Sequence, residues 1–199
     1  MTKRVDILES IAARRSRGKM RPEAPPRDLV ERVLQAGVHA ANHYDTQPWR
    51  FFVLTNEGRS EFGEVLAQAL SRRLGEADST QREALMKGER AKPMRSPVLV
   101  VVGVQSESDD PMTRREDLQA ASAALQNMLL AATSLGLAAV WRTGDGAYDD
   151  SVKDWFNLKP ADEIAGILYL GYADESFGPA PARQRDFADK TEWRGWDGT

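Results

Sequence analysis

The chain of 199 residues contains no cysteine and only two histidines, His39 and His43. The missing thiol excludes disulfides, a cysteine nucleophile, cysteine-ligated zinc and iron–sulfur clusters. It also fits a reducing compartment, so we expect a cytoplasmic protein. The longest apolar run, Val98–Val104, is far shorter than the roughly 20 residues that cross a bilayer. No apolar stretch follows Met1-Thr2-Lys3-Arg4, so we expect neither a membrane span nor a signal peptide.

An excess of charge of one sign is also missing. The chain has 27 lysine and arginine residues against 30 acidic ones, a formal net charge of −3. Because nucleic-acid binders usually carry a basic excess, we expect no nucleic-acid partner. The 15 glycines form no G-x-G-x-x-G, no P-loop and no G-x-S-x-G motif. These absences argue against a standard dinucleotide fold, a P-loop nucleotide site and a typical α/β-hydrolase.

Hydrophobic periodicity predicts an α+β domain. Helical spacing predicts a first helix over residues 4–15 and a second from near Asp28 to Ala41. It predicts two helices within 57–90, separated near Gly75–Ser79, and two more over Leu118–Leu135 and Asp149–Phe156. Apolar and β-branched runs predict strands over Trp49–Leu54, Val98–Val104, Leu137–Trp141 and Ile164–Leu170. We therefore expect one domain over residues 1–175, with a sheet of four to five strands flanked by helices. Residues 176–199 lack periodicity and are predicted to form an extended arm.

The two histidines raise the question of a metal site. His39 and His43 are four residues apart, a spacing that places both rings on one face of a helix, as in H-E-x-x-H zinc sites. However, Ala40 stands at the glutamate position and the chain has no third histidine or cysteine. We therefore predict no metal. The histidines are either polar residues at a helix end or side chains that face a polar or anionic ligand.

Three further segments carry chemistry, and each also has an ordinary structural explanation. Arg14-Arg15-Ser16 follows the first helix and could hold a phosphate, although a basic run also stabilises a helix C-terminus. Gln47-Pro48-Trp49 precedes a buried strand and could reach a ligand, or it could be a plain loop. Trp141-Arg142-Thr143 ends another strand, where Arg142 needs either an anionic partner or access to solvent.

The order of these segments forms a wider pattern. It consists of Arg14-Arg15-Ser16, Gln47-Pro48-Trp49-Arg50-Phe51, Gln126–Ala132 followed by Leu135-Gly136-Leu137, Trp141-Arg142-Thr143-Gly144 and Gly166–Gly171. In combination it resembles the flavin-dependent nitroreductase family, and in particular its compact bacterial subgroup of NAD(P)H nitroreductases. The similarity extends from about Ile7 to Tyr172.

This resemblance implies a nitroreductase-like homodimer, with a mixed or antiparallel sheet and FMN bound at the subunit interface. It implies that Arg14, Arg15 and Ser16 hold the phosphate and ribityl end of FMN. It also implies that the partner subunit's His39 and His43 reach the same FMN, with Gln47 nearby. Trp141, Arg142 and Thr143 would then line the isoalloxazine or its tail. The implied activity passes hydride from NAD(P)H through flavin N5 to a nitroaromatic, a quinone or a related electron-poor small molecule. No catalytic side chain is predicted, because water can supply the proton.

The sequence also departs from the family pattern. Gly18-Lys19-Met20 stands where an arginine and an aromatic residue are frequent, and Ala40-Ala41-Asn42 replaces a frequent Ala-Pro-Ser or Ala-Pro-Asp. His39 stands where the subgroup commonly has arginine. These departures leave open a flavin-binding module without turnover, such as a sensor or carrier. The basic run Arg14–Arg21 alone leaves open a protein that binds nucleic acid or another polyanion.

Overall fold

The structure is a computed structural model that describes residues 6–75, 78–178 and 185–196. In chain order the elements are α1 (Ile7–Ala13), α2 (Arg27–Gly37), β1 (Trp49–Leu54), α3 (Asn56–Arg73), α4 (Ser79–Ala91), β2 (Val98–Val104), α5 (Pro111–Ser134), β3 (Ala138–Arg142), α6 (Asp150–Trp155) and β4 (Glu163–Gly171). Short 3₁₀ turns lie at His43–Asp45, Pro93–Arg95, Asp145–Tyr148, Glu175–Phe177 and Ala188–Lys190.

The four strands form one antiparallel sheet in the order β1-β2-β4-β3. The inner strand β2 is buried along its whole length, which confirms the interpretation of its unbroken apolar run. At the far edge, the segment that follows α1 runs beside β3. Ser16 forms a parallel bridge with Ala139, and the backbone N–H of Arg17 donates to the carbonyl of Ala139 over 3.1 Å. The first basic segment therefore lies against the strand that ends in Trp141-Arg142.

Helices cover both faces of the sheet, because side chains of successive strand residues point to opposite sides. Helices α2 and α5 pack on the face that carries Val100, Val102 and Leu168. Helices α3 and α6 pack on the face that carries Leu99 and Val101, and α4 lies against α3. Helices thus cover both faces of β2 and β4. A ligand site is therefore expected at the polar ends of β3 and of α2, which these helices do not cover.

The helix boundaries differ from the sequence prediction at several places; α1 ends at Ala13 rather than at residue 15, and α2 ends at Gly37 rather than at Ala41. Helix α5 begins at Pro111 rather than at Leu118, because the Asp110 carboxylate accepts from the Thr113 N–H (2.9 Å) and proline suits the first helical position. Helix α2 begins after Pro26 without a side-chain cap, so Asp28 lies in the first turn instead.

Two predicted segments extend beyond the described residues. Residues 4–5 of the first predicted helix are outside them, as are residues 179–184 and 197–199 of the predicted arm. Within the described part of the arm, the structure contains the turn Ala188–Lys190 and three exposed aromatic side chains: Phe187, Trp193 and Trp196. Among the described residues, no helix is both long and apolar enough to span a membrane.

Candidate functional site

A polar cavity of about 550 Å³ opens beside the end of β3. We call it the β3-edge cavity, and its lining residues are Gly18, Lys19, Met20, Met94, Arg95, Arg142 and Asp174. Three of these side chains are cations and one is a carboxylate. The volume is within the range of small-molecule pockets, and the excess of positive charge favours an anionic ligand.

The Arg142 guanidinium is held at this cavity by its surroundings. Its Cζ lies 5.6 Å from the centroid of the Tyr169 ring, a cation–π distance. A Cβ at Gly18 would be only 3.1 Å from Arg142 Nη2, so the bare glycine leaves room for the guanidinium. The sequence prediction placed Arg142 at a ligand site, and the structure brings it together with the segment that follows Arg14-Arg15-Ser16.

Backbone pairing holds two other lining residues of the cavity, Lys19 and Asp174, beside each other. The Asp174 N–H donates to the Lys19 carbonyl over 3.1 Å, and the Arg21 N–H donates to the Tyr172 carbonyl over 2.9 Å. The Asp174 carboxylate accepts from the hydroxyl and N–H of Ser176, and these bonds lower its pKa. Asp174 therefore stays ionised and can accept hydrogen bonds from a ligand.

Burial dominates the electrostatics of the tyrosine beneath this cavity. It raises the pKa of the Tyr169 hydroxyl, while the charges of Arg142 and Arg95 act in the opposite direction. Both guanidinium groups are therefore close enough for their charge to reach the same buried ring.

Trp141 faces the other side of the sheet. Between Val102 and Gly103 of β2 the register shifts, so that Ala165 of β4 is left over as a bulge. The Trp141 indole N–H donates to the Ala165 carbonyl over 3.2 Å. A Cβ at Gly166 would lie 2.0 Å from Trp141 Nε1, so the indole can occupy this position only because residue 166 has no side chain. The bulge and the glycine together lock Trp141 across the end of the sheet.

The remaining residues of the two edge segments have mixed surroundings. Ser16 and Thr143 are exposed, one beside the start of β3 and one just beyond its end. Arg15 Nη1 donates to the carbonyls of Ala12 and Arg14, so this guanidinium satisfies the end of α1. One nitrogen of the Arg15 guanidinium therefore stabilises the C-terminal end of α1, as the structural explanation of the basic run predicts.

The two histidines lie beyond the end of α2, not on one face of a helix as their spacing predicted. The Gln35 amide donates to His39 Nε2 over 3.2 Å, and His43 Nδ1 lies 2.8 Å from Glu116 Oε2 on α5. Within the described ranges, the structure has no group of three or more histidine, cysteine, aspartate or glutamate side chains that could hold a metal.

His43 lines a second cavity of about 520 Å³, which we call the histidine cavity. Its lining residues are Ala41, Asn42, His43, Glu116, Gln119, Ala120 and Ala123. It shares no lining residue with the β3-edge cavity. The structure thus divides the predicted site residues between two places on the chain.

The loop that carries His43, residues 42–47, has an uncommon backbone. Tyr44, Asp45 and Gln47 have φ angles of 56°, 51° and 45°, a left-handed region that costs non-glycine residues energy. The loop is held by Asn42, which accepts from the Gln47 N–H over 2.6 Å. It is also held by Thr46, whose hydroxyl donates to the buried Asp117 over 2.6 Å. Gln47 itself is exposed.

Several residues at these cavities were not predicted from the sequence. The sequence places Lys19 only in the basic run Arg14–Arg21 and in the departure Gly18-Lys19-Met20, and it predicts no role for Arg95, Asp174 or Glu116. The residues that each of these meets lie far away along the chain. Only the local polarity of these positions could have pointed to them, and polar residues are common on any surface.

Comparisons with known proteins agree with this architecture. The profile described as "Nitroreductase family" matches residues 11–172. The "Putative NAD(P)H nitroreductase YdjA" of Escherichia coli strain K12 is 33% identical over 167 residues, 84% of this chain and 88% of that protein.

Solved structures also resemble this chain. A nitroreductase-like family protein from Bacillus cereus has a TM-score of 0.84 at 26% identity, covering 98% of this chain and 100% of that one. The FMN-dependent nitroreductase NfnB from Mycobacterium smegmatis, solved in complex with NADPH, has a TM-score of 0.72 at 16% identity and covers 95% and 100%. At this low identity, the second likeness concerns the fold.

Proposed function

This chain belongs to the nitroreductase family, and from that membership we propose that it is an FMN-dependent oxidoreductase. Its reductant is NAD(P)H, and its acceptor is a nitroaromatic, a quinone or a related electron-poor small molecule. The names of YdjA and NfnB support the reductant, and that of NfnB also supports the cofactor.

The observation that carries the proposal is the charge of the β3-edge cavity. Lys19, Arg95 and Arg142 line it against the single carboxylate of Asp174. FMN has an anionic phosphate, a polar ribityl chain and a flavin edge rich in acceptors, so it fits a cavity with this donor set. The bare Gly18 beside the Arg142 guanidinium also keeps this wall open.

We assign the roles of the residues from their positions. Arg14, Arg15 and Ser16 lie on the segment beside β3 and hold the phosphate and ribityl end. Arg142 stabilises negative charge near N1 and C2=O of the flavin, while Trp141 and Thr143 line the ring system or its tail. Bound FMN would supply the redox chemistry, by which the two electrons that NAD(P)H gives up as hydride would reduce the acceptor.

We further propose that the protein works as a homodimer. His43 lines the histidine cavity, which shares no residue with the β3-edge cavity. We infer that His43, with His39 and Gln47, would complete the FMN site of the partner subunit. Exposed apolar side chains on α1 support an interface: Ile7, Leu8 and Ile11 are 59%, 70% and 50% exposed. In the predicted arm, residues 176–199, the described tryptophans Trp193 and Trp196 are exposed and would gain most by packing on a partner. We place this dimer in the cytoplasm, as the absence of cysteine suggests.

An absorption spectrum of the purified protein, followed by anaerobic addition of NADPH, tests the proposal. We expect bound FMN, bleaching by NADPH, and steady NADPH oxidation once a quinone is added. Bleaching without steady oxidation would favour a flavin carrier. A colourless protein that takes up no FMN at micromolar concentration would overturn the proposal, and salt-sensitive binding of DNA or RNA would then favour a polyanion binder.

A matched pair of variants locates the cofactor. Arg142→Ala should weaken FMN binding about tenfold or more, since a hydrogen bond to a charged group contributes about 1.5–3 kcal/mol. Arg32→Ala removes an exposed arginine of α2 and should leave the dissociation constant of FMN unchanged. Equal affinities for the two variants would contradict the assignment of the β3-edge cavity.

A further inference from the structure

The contact between His43 and Glu116 determines which hydrogen bonds the histidine offers to a ligand. The 2.8 Å distance joins His43 Nδ1 to Glu116 Oε2. An ionised carboxylate only accepts hydrogen bonds, so the proton of a neutral His43 must be on Nδ1. Its Nε2 then carries a lone pair and accepts. Free neutral histidine in water carries its proton mainly on Nε2, so Glu116 selects the less common tautomer.

The loop around His43 is built to keep the ring in this place. The imidazole stacks on Tyr44, with ring centroids 3.9 Å apart and planes 13° from parallel. Tyr44 has a left-handed φ of 56°, and the loop is tied to α5 through Thr46 and Asp117. Glu116 and Asp117 are neighbours on α5, so two successive carboxylates hold one strained loop. The His43 side chain is still 54% exposed, which leaves it accessible to a ligand.

We propose that Glu116 is a positioning residue that fixes His43 as the Nδ1–H tautomer, so that Nε2 accepts a hydrogen bond from a donor group of the bound flavin. This inference rests on the proposed function. An acceptor nitrogen pairs with a ribityl hydroxyl or the flavin N3–H, and it does not pair with the ionised phosphate. His43 therefore recognises the uncharged part of FMN, while the phosphate is held by Arg14, Arg15 and Ser16 as proposed above.

The tautomer can be measured without any ligand. The chain has only two histidines, so long-range ¹H–¹⁵N spectra recorded over a series of alkaline pH values resolve both rings. We expect a protonated Nδ1 on His43 in the wild type and in Glu116→Gln, whose amide oxygen still accepts. In Glu116→Ala the proton should move toward Nε2. A wild-type His43 with its proton on Nε2, or an unchanged tautomer in Glu116→Ala, would overturn the proposal.

Flavin binding tests the second part of the proposal, that His43 Nε2 accepts a hydrogen bond from the flavin. Glu116→Ala should weaken FMN and riboflavin about equally, by roughly tenfold, because both share the ribityl chain and the ring. Glu116→Gln should restore affinity to within about twofold of the wild type. Glu31→Ala, which removes a glutamate of α2 that pairs with Arg27, is the control and should change neither affinity.

The outcomes separate the two proposals. A loss confined to FMN would place His43 at the phosphate and overturn the inference, while leaving the proposed function intact. If Glu116→Gln bound flavin as weakly as Glu116→Ala, the charge of Glu116 and not the tautomer of His43 would determine the affinity. That result would also overturn the inference. If the wild type bound no flavin, the proposed function would fail with the ligand half of the inference, and the spectra would still decide the tautomer.

Discussion

At the scale of single residues, the tightest surroundings of any described glycine are those of Gly166 beside Trp141. In Gly166→Ala the new Cβ would lie 2.0 Å from Trp141 Nε1, so the indole must leave its place over the bulge. We expect a loss of about 3 kcal/mol in the free energy of unfolding, the upper end of the usual cost of overpacking. Urea denaturation measures it.

The control for this substitution is a second glycine. Gly88 lies inside α4, and a Cβ there would meet no atom within 4 Å. Gly88→Ala should therefore stabilise the protein by about 0.5–1 kcal/mol, because alanine loses less entropy in a helix. If both variants changed stability by the same amount, the contact with Trp141 would not be the cause.

Tyr169 makes stability depend on pH at the alkaline end. Burial raises its pKa in the folded state, so between the unfolded and the folded pKa the native protein binds more protons. The stabilisation is complete below the unfolded pKa of about 10 and is lost as pH rises through the folded pKa. We expect Tyr169→Phe to lose stability less steeply than the wild type above about pH 10, measured by denaturation at a series of pH values. Parallel curves for the two proteins would contradict this prediction.

At the scale of elements, the strands could be predicted from the sequence more closely than the helices. The strand Trp49–Leu54 was predicted with the bounds that the structure gives, because turn residues flank an aromatic and β-branched run. The start of α5 was not, since its first turns are polar and only Asp110-Pro111 marks the beginning. The bulge at Ala165 was not predicted, because its place depends on how β4 pairs with its neighbour β2.

The candidate site shows the same division. The position of Arg142 at a strand end followed from local sequence. Its partners Arg95 and Asp174 come from a 3₁₀ turn and a loop far along the chain, and only the folded sheet brings them to one cavity. Local periodicity contains no information about such long-range neighbours.

Helix α5 packs much of its length into the core. Leu125, in its middle, is fully buried against the sheet. Leu125→Ala should cost about 2–5 kcal/mol of unfolding free energy, through lost burial and the cavity left behind. Gln126→Ala, an exposed neighbour on the same helix, should stay within about 0.5 kcal/mol of the wild type. A Leu125→Ala protein as stable as Gln126→Ala would show that α5 is not packed as described.

At the scale of the whole molecule, the separation of the two cavities has a consequence for the proposed dimer. If a complete site takes the β3-edge cavity from one subunit and His43 from its partner, each dimer has two equivalent shared sites. Arg142→Ala then damages one half of every site, and His43→Ala damages the other half. Each variant alone should therefore have low NADPH–quinone reductase activity.

Mixing the two variants should restore activity. In a mixed dimer, one site receives the intact Arg142 and the intact His43, while the other site carries both substitutions. After random subunit exchange about half of the dimers are mixed, so we expect about one quarter of the wild-type activity. Activity is measured before and after exchange at one total protein concentration, with each variant exchanged against itself as control. A site contained within a single chain would gain nothing on mixing, because each chain still carries one damaged half.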